Sequence, residues 1–214
     1  QGVQVIYGPQ VAVIKSNLET YLTTAPDVEY HGEDGETVFA GHEEEKTPVV
    51  SENGDGSAPE SREKKTGRTV YSPFTGTVKP ITEAPDPAFA GKAMGDGFLV
   101  EPEKGELVAP EDGQVDFVFP TGHALGFHTK DGVEMLFHIG VDTVKLDGKG
   151  FKALVKDGDE VKRGDKLMEF DLQYIKENAP SDVCITVFTG MQEGQEIRVT
   201  ASHADALDEA AELI

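Results

Sequence analysis

The stretch TGHALGFHTKDGVEMLFHIGVDTV, residues 121–144, decides how the rest of the chain is read. Val133, Met135, Phe137 and Ile139 alternate along it, so the spacing predicts a strand with those four on one face and His138 on the other. Lys130-Asp131-Gly132 is a turn signal that folds this strand back on a preceding one carrying Ala124, Leu125 and Phe127. His123 stands at the head of that preceding strand, beside Gly122. With about 3.3 Å of rise per residue, an antiparallel pairing brings both histidines near the same sheet edge despite their separation in sequence. A hydroxyl from Thr121 and a carboxylate from Asp142 lie close by.

Composition bounds the function. The 214 residues allow one medium domain with attachments or two small ones. With 37% hydrophobic residues, 24 Gly, 12 Pro and no Trp, the chain reads as soluble, turn-rich and mostly β. No apolar run approaches the roughly 20 residues that cross a bilayer, and no signal peptide is legible at the start. A single cysteine, Cys184, permits neither an internal disulfide nor a Cys-rich zinc site, which fits a reducing cytoplasm. Set in ITVFTG, it reads as a small core residue. The formal charge of −21 argues against nucleic-acid binding and points to basic partners, or to a salt-adapted and very soluble surface.

Along the chain, residues 1–22 read as a short strand (Val3, Val5, Tyr7), a Gly8-Pro9 break and an amphipathic helix using Val11, Ile14, Leu18 and Leu22. Such a piece buries no core and is expected to be the end of another domain. Residues 23–66 hold twelve acidic and four basic residues with few large apolar groups, the composition of a flexible linker. From residue 67 to 200, short strands and glycine turns predict one β domain. SPFTGTV (72–78) and APEDGQV (109–115) repeat a Pro-x-x-Gly-x-Val unit at an offset of 37, which predicts two turn-entered strands with φ set by Pro and freed by Gly. Repeated units of this kind predict an all-β, antiparallel β-sandwich or partly closed barrel with short helical turns. KDGDEVKRGDKLMEF (156–170) adds a pair with Val155, Val161, Leu167 and Phe170 inward, and LQYIKENA (172–179) a short helix stopped by Pro180. VCITVFTG and QEIRVTAS supply further strands. The tail, 201–214, reads as a helix capped by Ser202, with Leu207, Ala210, Ala211 and Ile214 on one face.

The chemistry narrows by elimination. There is no phosphate loop ending in Lys-Ser or Lys-Thr, no dinucleotide fingerprint and no nucleophile elbow. A zinc hydrolase could just be assembled from two histidines and a carboxylate, though without a local chelating pair. A biotinyl-type carrier would need an acceptor lysine in a Met-Lys-Met hairpin, which is missing. Histidine itself is then the candidate nucleophile, since a neutral imidazole nitrogen can accept a phosphoryl group. That site needs one nitrogen held unprotonated, donors for the phosphoryl oxygens, and an apolar rim shallow enough for a second protein. His138, His123 and Thr121 suit the chemical roles; Phe89, Met94, Phe119 and Val144 suit the rim.

At this point the residues resemble a family. SPFTGTVKPITEAPDPAFAGKAMGDGFLVEP, GELVAPEDGQV, FPTGHALGFHTKDGVEMLFHIGVDTVKLDGKGF and VKRGDKLMEFDLQYIKENAPS, spanning about Thr69 to Val187, are similar to the glucose-family enzyme IIA domain of the bacterial sugar phosphotransferase system. The resemblance implies an antiparallel β-sandwich and a phosphotransferase component that needs no cofactor and no metal. It implies that His138 carries the phosphoryl group, that His123 assists, and that Thr121 holds His123. Asp86, Phe89, Ala93, Met94, Phe119, Asp142 and Val144 map onto the partner-binding ring. The implied partners are the histidine-containing phosphocarrier protein as donor and the cysteine of an enzyme IIB domain as acceptor. GVQVIYG with the helix to Leu22 is similar to the end of a glucose-type enzyme IIB domain. The parent is then expected to be a permease held at the cytoplasmic face of the membrane by an enzyme IIC domain.

Overall fold

The computed structural model describes residues 67–214. The strand and helix expected within 1–22 and the linker 23–66 lie outside the described residues. In chain order the strands are β1 (Arg68–Tyr71), β2 (Gly76–Pro80), β3 (Asp96–Pro102), β4 (Glu106–Val108), β5 (Gly113–Val118), β6 (Ala124–Thr129) and β7 (Glu134–Val141). They continue with β8 (Phe151–Ala153), β9 (Glu160–Val161), β10 (Lys166–Phe170), β11 (Ser181–Phe188), β12 (Ile197–Val199), β13 (His203–Ala204) and β14 (Glu209–Leu213). Helix is confined to short pieces, among them Pro87–Ala90 and Leu172–Asn178. The second ends just before Pro180, whose ring disfavours helix in the residue ahead of it.

Among the described residues, eight strands form one sheet in the order β13-β2-β3-β11-β7-β6-β5-β9, alongside two three-stranded sheets, β1-β14-β12 and β4-β10-β8. All the pairings are antiparallel, and none of these sheets closes into a barrel. The expected sandwich is therefore what forms. The alternation in β7 does what its spacing required: Met135, Phe137 and Ile139 enter the main core with Leu125 and Phe127 of β6, while His138 points to the other face. Phe74 packs edge-on against Phe137 and Phe170, tying the repeated-turn strands to the large sheet. Cys184 is fully buried in the same core.

The repeated Pro-x-x-Gly-x-Val units open β2 and β5, with Val78 and Val115 buried in the core. The reason for glycine at Gly113 differs from the expectation. A Cβ there would lie 2.2 Å from the His128 carbonyl oxygen and 2.5 Å from the Phe127 ring, so close approach of the neighbouring strand excludes any side chain.

The sequence-based helix at 201–214 is corrected: these residues form β13 and β14. Capping and 3.6-residue periodicity are local preferences, and here two strand edges outweigh them. β14 pairs with β1 on one side and β12 on the other, and Ala210 and Ala211 are small enough to be fully buried against the core. The tail is thus part of the β domain. Ala211→Asp would place an unpaired carboxylate in that core and is expected to cost at least about 3 kcal/mol in urea unfolding, whereas a solvent-facing helix would tolerate it.

Candidate functional site

The outward face of the large sheet carries a second apolar layer. Leu99, Leu136, Ile185 and Val187 are buried yet stand apart from the main core. The 3-10 turn Ile81–Glu83 packs on β3, and helix Pro87–Ala90 packs on that turn. The helix is started by Asp86, whose carboxylate accepts from the Ala88 amide at 2.7 Å, and it delivers Phe89 onto the sheet, buried. His138 lies in register between Ala124 of β6 and Ile185 of β11, so it rises from the interior of the sheet face rather than from the edge expected.

Five rings then run across this face. Phe89 stands 5.1 Å from His138, His138 5.1 Å from His123 at a near-perpendicular 78°, His123 4.9 Å from Phe119, and Phe119 5.9 Å from Phe117. Phe117 in turn lies across Gly126, where a Cβ would meet its ring at 2.3 Å. His123 is 3% exposed and His138 half-buried. Thr121 Oγ1 is 2.7 Å from His123 Nδ1, which ties down that ring.

The two imidazoles differ in how their nitrogens are placed. Nδ1 of His138 is sealed from solvent and has no hydrogen-bond partner among the described residues. Its Nε2 is not orphaned in this way, and the ring as a whole is half-buried. Burial depresses His138 to about 4, against the opposing pulls of the Gly140 backbone and the Asp86 and Asp142 carboxylates. Burial, together with the charge His138 would carry, depresses His123 to about 3. Both rings are therefore neutral at pH 7, and a neutral imidazole is the nucleophilic form.

The expected rim residues distribute unevenly. Phe89 and Phe119 touch the histidines, and Val144 is 37% exposed beside them in sequence, on the 3-10 turn Thr143–Leu146. Asp86 and Asp142 bear electrostatically on His138. Asp142 adopts the left-handed conformation at φ 60 and pairs with Lys145 at 2.8 Å. Ala93 is exposed and Met94 half-buried in the turn after helix Pro87–Ala90, without a side-chain contact to either histidine that the structure singles out. Sequence reasoning did not single out Gly140, whose backbone bears on His138. A lone glycine inside the strand pattern FHIGV was the available signal, since glycine in a strand marks a bulge or special backbone. Among the described residues, no group of three His, Cys, Asp or Glu side chains converges as metal ligands, and no helix is long and apolar enough to cross a membrane.

The pKa values give a pH dependence of known sign. Unfolded imidazoles take a proton near pH 6.5 and these folded ones only near 3 to 4, so between those limits the unfolded state binds more protons. Stability accordingly falls as pH drops below 6.5. In histidine-selective NMR, neither His123 nor His138 is expected to titrate between pH 7 and 5; a midpoint above 6 for either would contradict the buried geometry.

Comparison with known proteins places these features. Residues 68–194 match the family described as phosphoenolpyruvate-dependent sugar phosphotransferase system, EIIA 1. A glucose-specific EIIA component of Staphylococcus epidermidis is 48% identical over 130 residues, 61% of this chain and 78% of that protein. A glucose-specific EIICBA component of Staphylococcus carnosus is 43% identical over 191 residues, covering 88% of this chain but 25% of that protein. Among solved structures, a glucose permease IIA from Mycoplasma capricolum superposes with a TM-score of 0.63 at 37% identity, over 69% of this chain and 96% of that one.

Proposed function

The chain belongs to the EIIA 1 family of the phosphoenolpyruvate-dependent sugar phosphotransferase system, and from that premise we propose that Nε2 of His138 accepts the phosphoryl group and hands it on. The observation that carries this reading is the pair of neutral imidazoles 5.1 Å apart, one buried and one half-buried with its Nδ1 turned inward. The donor is the phosphohistidine of the histidine-containing phosphocarrier protein. Its P–N bond breaks as the Nε2–P bond forms, and the donor imidazole leaves with the electron pair.

Attack from Nε2 makes the ring of His138 cationic while Nδ1 keeps its proton. The Gly140 backbone, Asp86 and Asp142, which already favour the protonated ring, stabilise that charge as it develops. Thr121 donates its hydroxyl proton to Nδ1 of His123, leaving the proton of that ring on Nε2 to donate to the phosphoryl oxygens. Phe89, Phe119 and Val144, with the two rim carboxylates, form an apolar-centred, acid-edged patch against which a basic partner docks. The net charge of −21 supports fast, salt-sensitive encounter.

The acceptor is a cysteine of an enzyme IIB domain in the same permease, working at the cytoplasmic face of the membrane. The EIICBA relative matches this chain over some forty residues more than the described domain holds, which supports reading 1–22 as the end of a IIB domain and 23–66 as a tether. A tether raises the local concentration of donor site near acceptor site, so weak docking suffices. Relatives are named both glucose-specific and glucoside-specific. A glucose-type sugar is the reading these names support.

Incubation with phosphoenolpyruvate and the two general phosphotransfer proteins is expected to add one acid-labile phosphate to the intact mass. His138→Gln is expected to abolish it, and wild-type labelling of that variant would overturn the assignment. His123→Gln is expected to accept phosphate within about tenfold of the wild-type rate but to pass it to the IIB domain at least about a hundredfold more slowly. Phosphorylation rates should also fall several-fold between 50 and 500 mM salt, checked by quench-flow.

A further inference from the structure

The helix Pro87–Ala90 that lays Phe89 on His138 is a single turn, too short to hold itself in place. Its far end is closed by a cap of unusual composition. The Lys92 amide donates to the Phe89 carbonyl at 2.9 Å and the Ala93 amide to the Ala88 carbonyl at 3.1 Å, the paired bonds of a Schellman motif. In that motif the residue after the C-cap takes the left-handed conformation and is usually glycine. Here glycine stands one place early, at Gly91 with φ of −80, and Lys92 takes the left-handed position with φ of 56. A lysine there gives up the conformational ease that glycine would bring. What it gains is a contact: its Nζ lies 2.9 Å from Asp96 Oδ2. Asp96 is 8% exposed and opens β3, and its carboxylate also accepts from the Gly97 amide at 2.8 Å and from the Ile197 amide of β12 at 3.0 Å, so it is anchored in two different sheets. Among the described residues, the Lys92–Asp96 pair is the one hydrogen bond or ion pair that ties 86–94 to the sheets.

We propose that Lys92 is a positioning residue for phosphoryl transfer: through Asp96 it pins the capped end of helix Pro87–Ala90 to the sheets and so keeps the Phe89 ring against His138. The proposal rests on the phosphoryl-transfer reading above. The path is short and runs through bonds, from Asp96 to the Lys92 ammonium, along that side chain to the Lys92 amide, and from the amide to the Phe89 carbonyl. Because Asp96 is nearly desolvated, the pair is stronger than one between two surface groups. With the link gone, the turn rests on apolar packing against the 3-10 turn Ile81–Glu83 and the His138 ring, and Phe89 is free to lift from the site between encounters. Lys92 touches neither phosphate nor partner in this scheme; it acts through Phe89.

Lys92→Gly removes the ammonium and supplies the residue that the left-handed position favours, so a role in backbone geometry alone predicts a protein at least as stable as the wild type with unchanged activity. K92G is expected instead to melt as the wild type does, to lose most of the nuclear Overhauser contact between the Phe89 and His138 rings, and to take phosphate from the phosphorylated carrier protein about tenfold more slowly in quench-flow. Lys92→Arg, which keeps a cation for Asp96, is expected to stay within about twofold of the wild-type rate. In a Phe89→Ala background, K92G is expected to slow transfer by less than about twofold further, because the ring it positions is already gone. Retention of both the ring contact and the wild-type rate in K92G would overturn the proposal. So would an equal tenfold loss in the F89A background, which would put Lys92 to work on the partner directly. Should K92G fold poorly, Lys92→Asn, which also tolerates the left-handed conformation, carries the same expectations. A wild-type protein that takes no phosphate would sink the functional reading alone, because the ring contact in the variants still decides the role of Lys92.

Discussion

Desolvation of two imidazoles against each other is the constraint on which the site depends. Two carboxylates stand near enough to pull His138 toward protonation, and burial still overrides them. With its pKa near 4, about one ring in a thousand carries a proton at pH 7. A solvated histidine would be protonated several hundred times as often. In the proposed transfer the same carboxylates become useful once a bond forms at Nε2, because they favour the cationic ring that results. Ground-state neutrality and later charge stabilisation come from opposing contributions, and the first wins only because the ring is walled by Phe89, His123 and the apolar layer beneath.

That wall is a consequence of strand alternation carried through on both faces of one sheet. The inward phase of β6 and β7 builds the main core; the outward phase, with Ile185 and Leu136, builds a floor under the histidines. A sheet with one solvated face would leave His138 wet. Here the helix begun by Asp86 lays Phe89 over the outward phase, so one four-residue helix converts a surface histidine into a half-buried one. The Ile139 amide bonded to the His123 carbonyl joins the two histidine strands where it matters, so the rings cannot drift apart without breaking a backbone bond.

Much of this was legible from residues alone, and the reasons are local. The β7 alternation, the Lys130-Asp131-Gly132 turn, the repeated Pro-x-x-Gly-x-Val units and helix Leu172–Asn178 each express a period or a breaker within a few residues, and each appears where expected. His123, His138 and Thr121 could be brought together because a turn fixes strand register. What escaped was set by distant partners. The 201–214 segment satisfied every local rule for a helix, and only the edges of β1 and β12 make it a strand. The hold of Thr143 on Ile139, and the crowding that demands glycine at Gly113, are likewise properties of neighbours that no short window contains.

Pairing of β1 with β14 joins the first described strand to the last, with Arg68 opposite Leu213. No ribosome can release a finished domain of this topology piecemeal: β1 waits through the synthesis of some 140 residues before its neighbour exists. During that interval its edge is bare, a liability that the charged flank at Arg68, Glu111 and Asp131 can blunt as soon as the β6–β7 turn has formed. The seam also sets both ends of the domain side by side, so a protein fused at either end begins from the same pole of the sandwich.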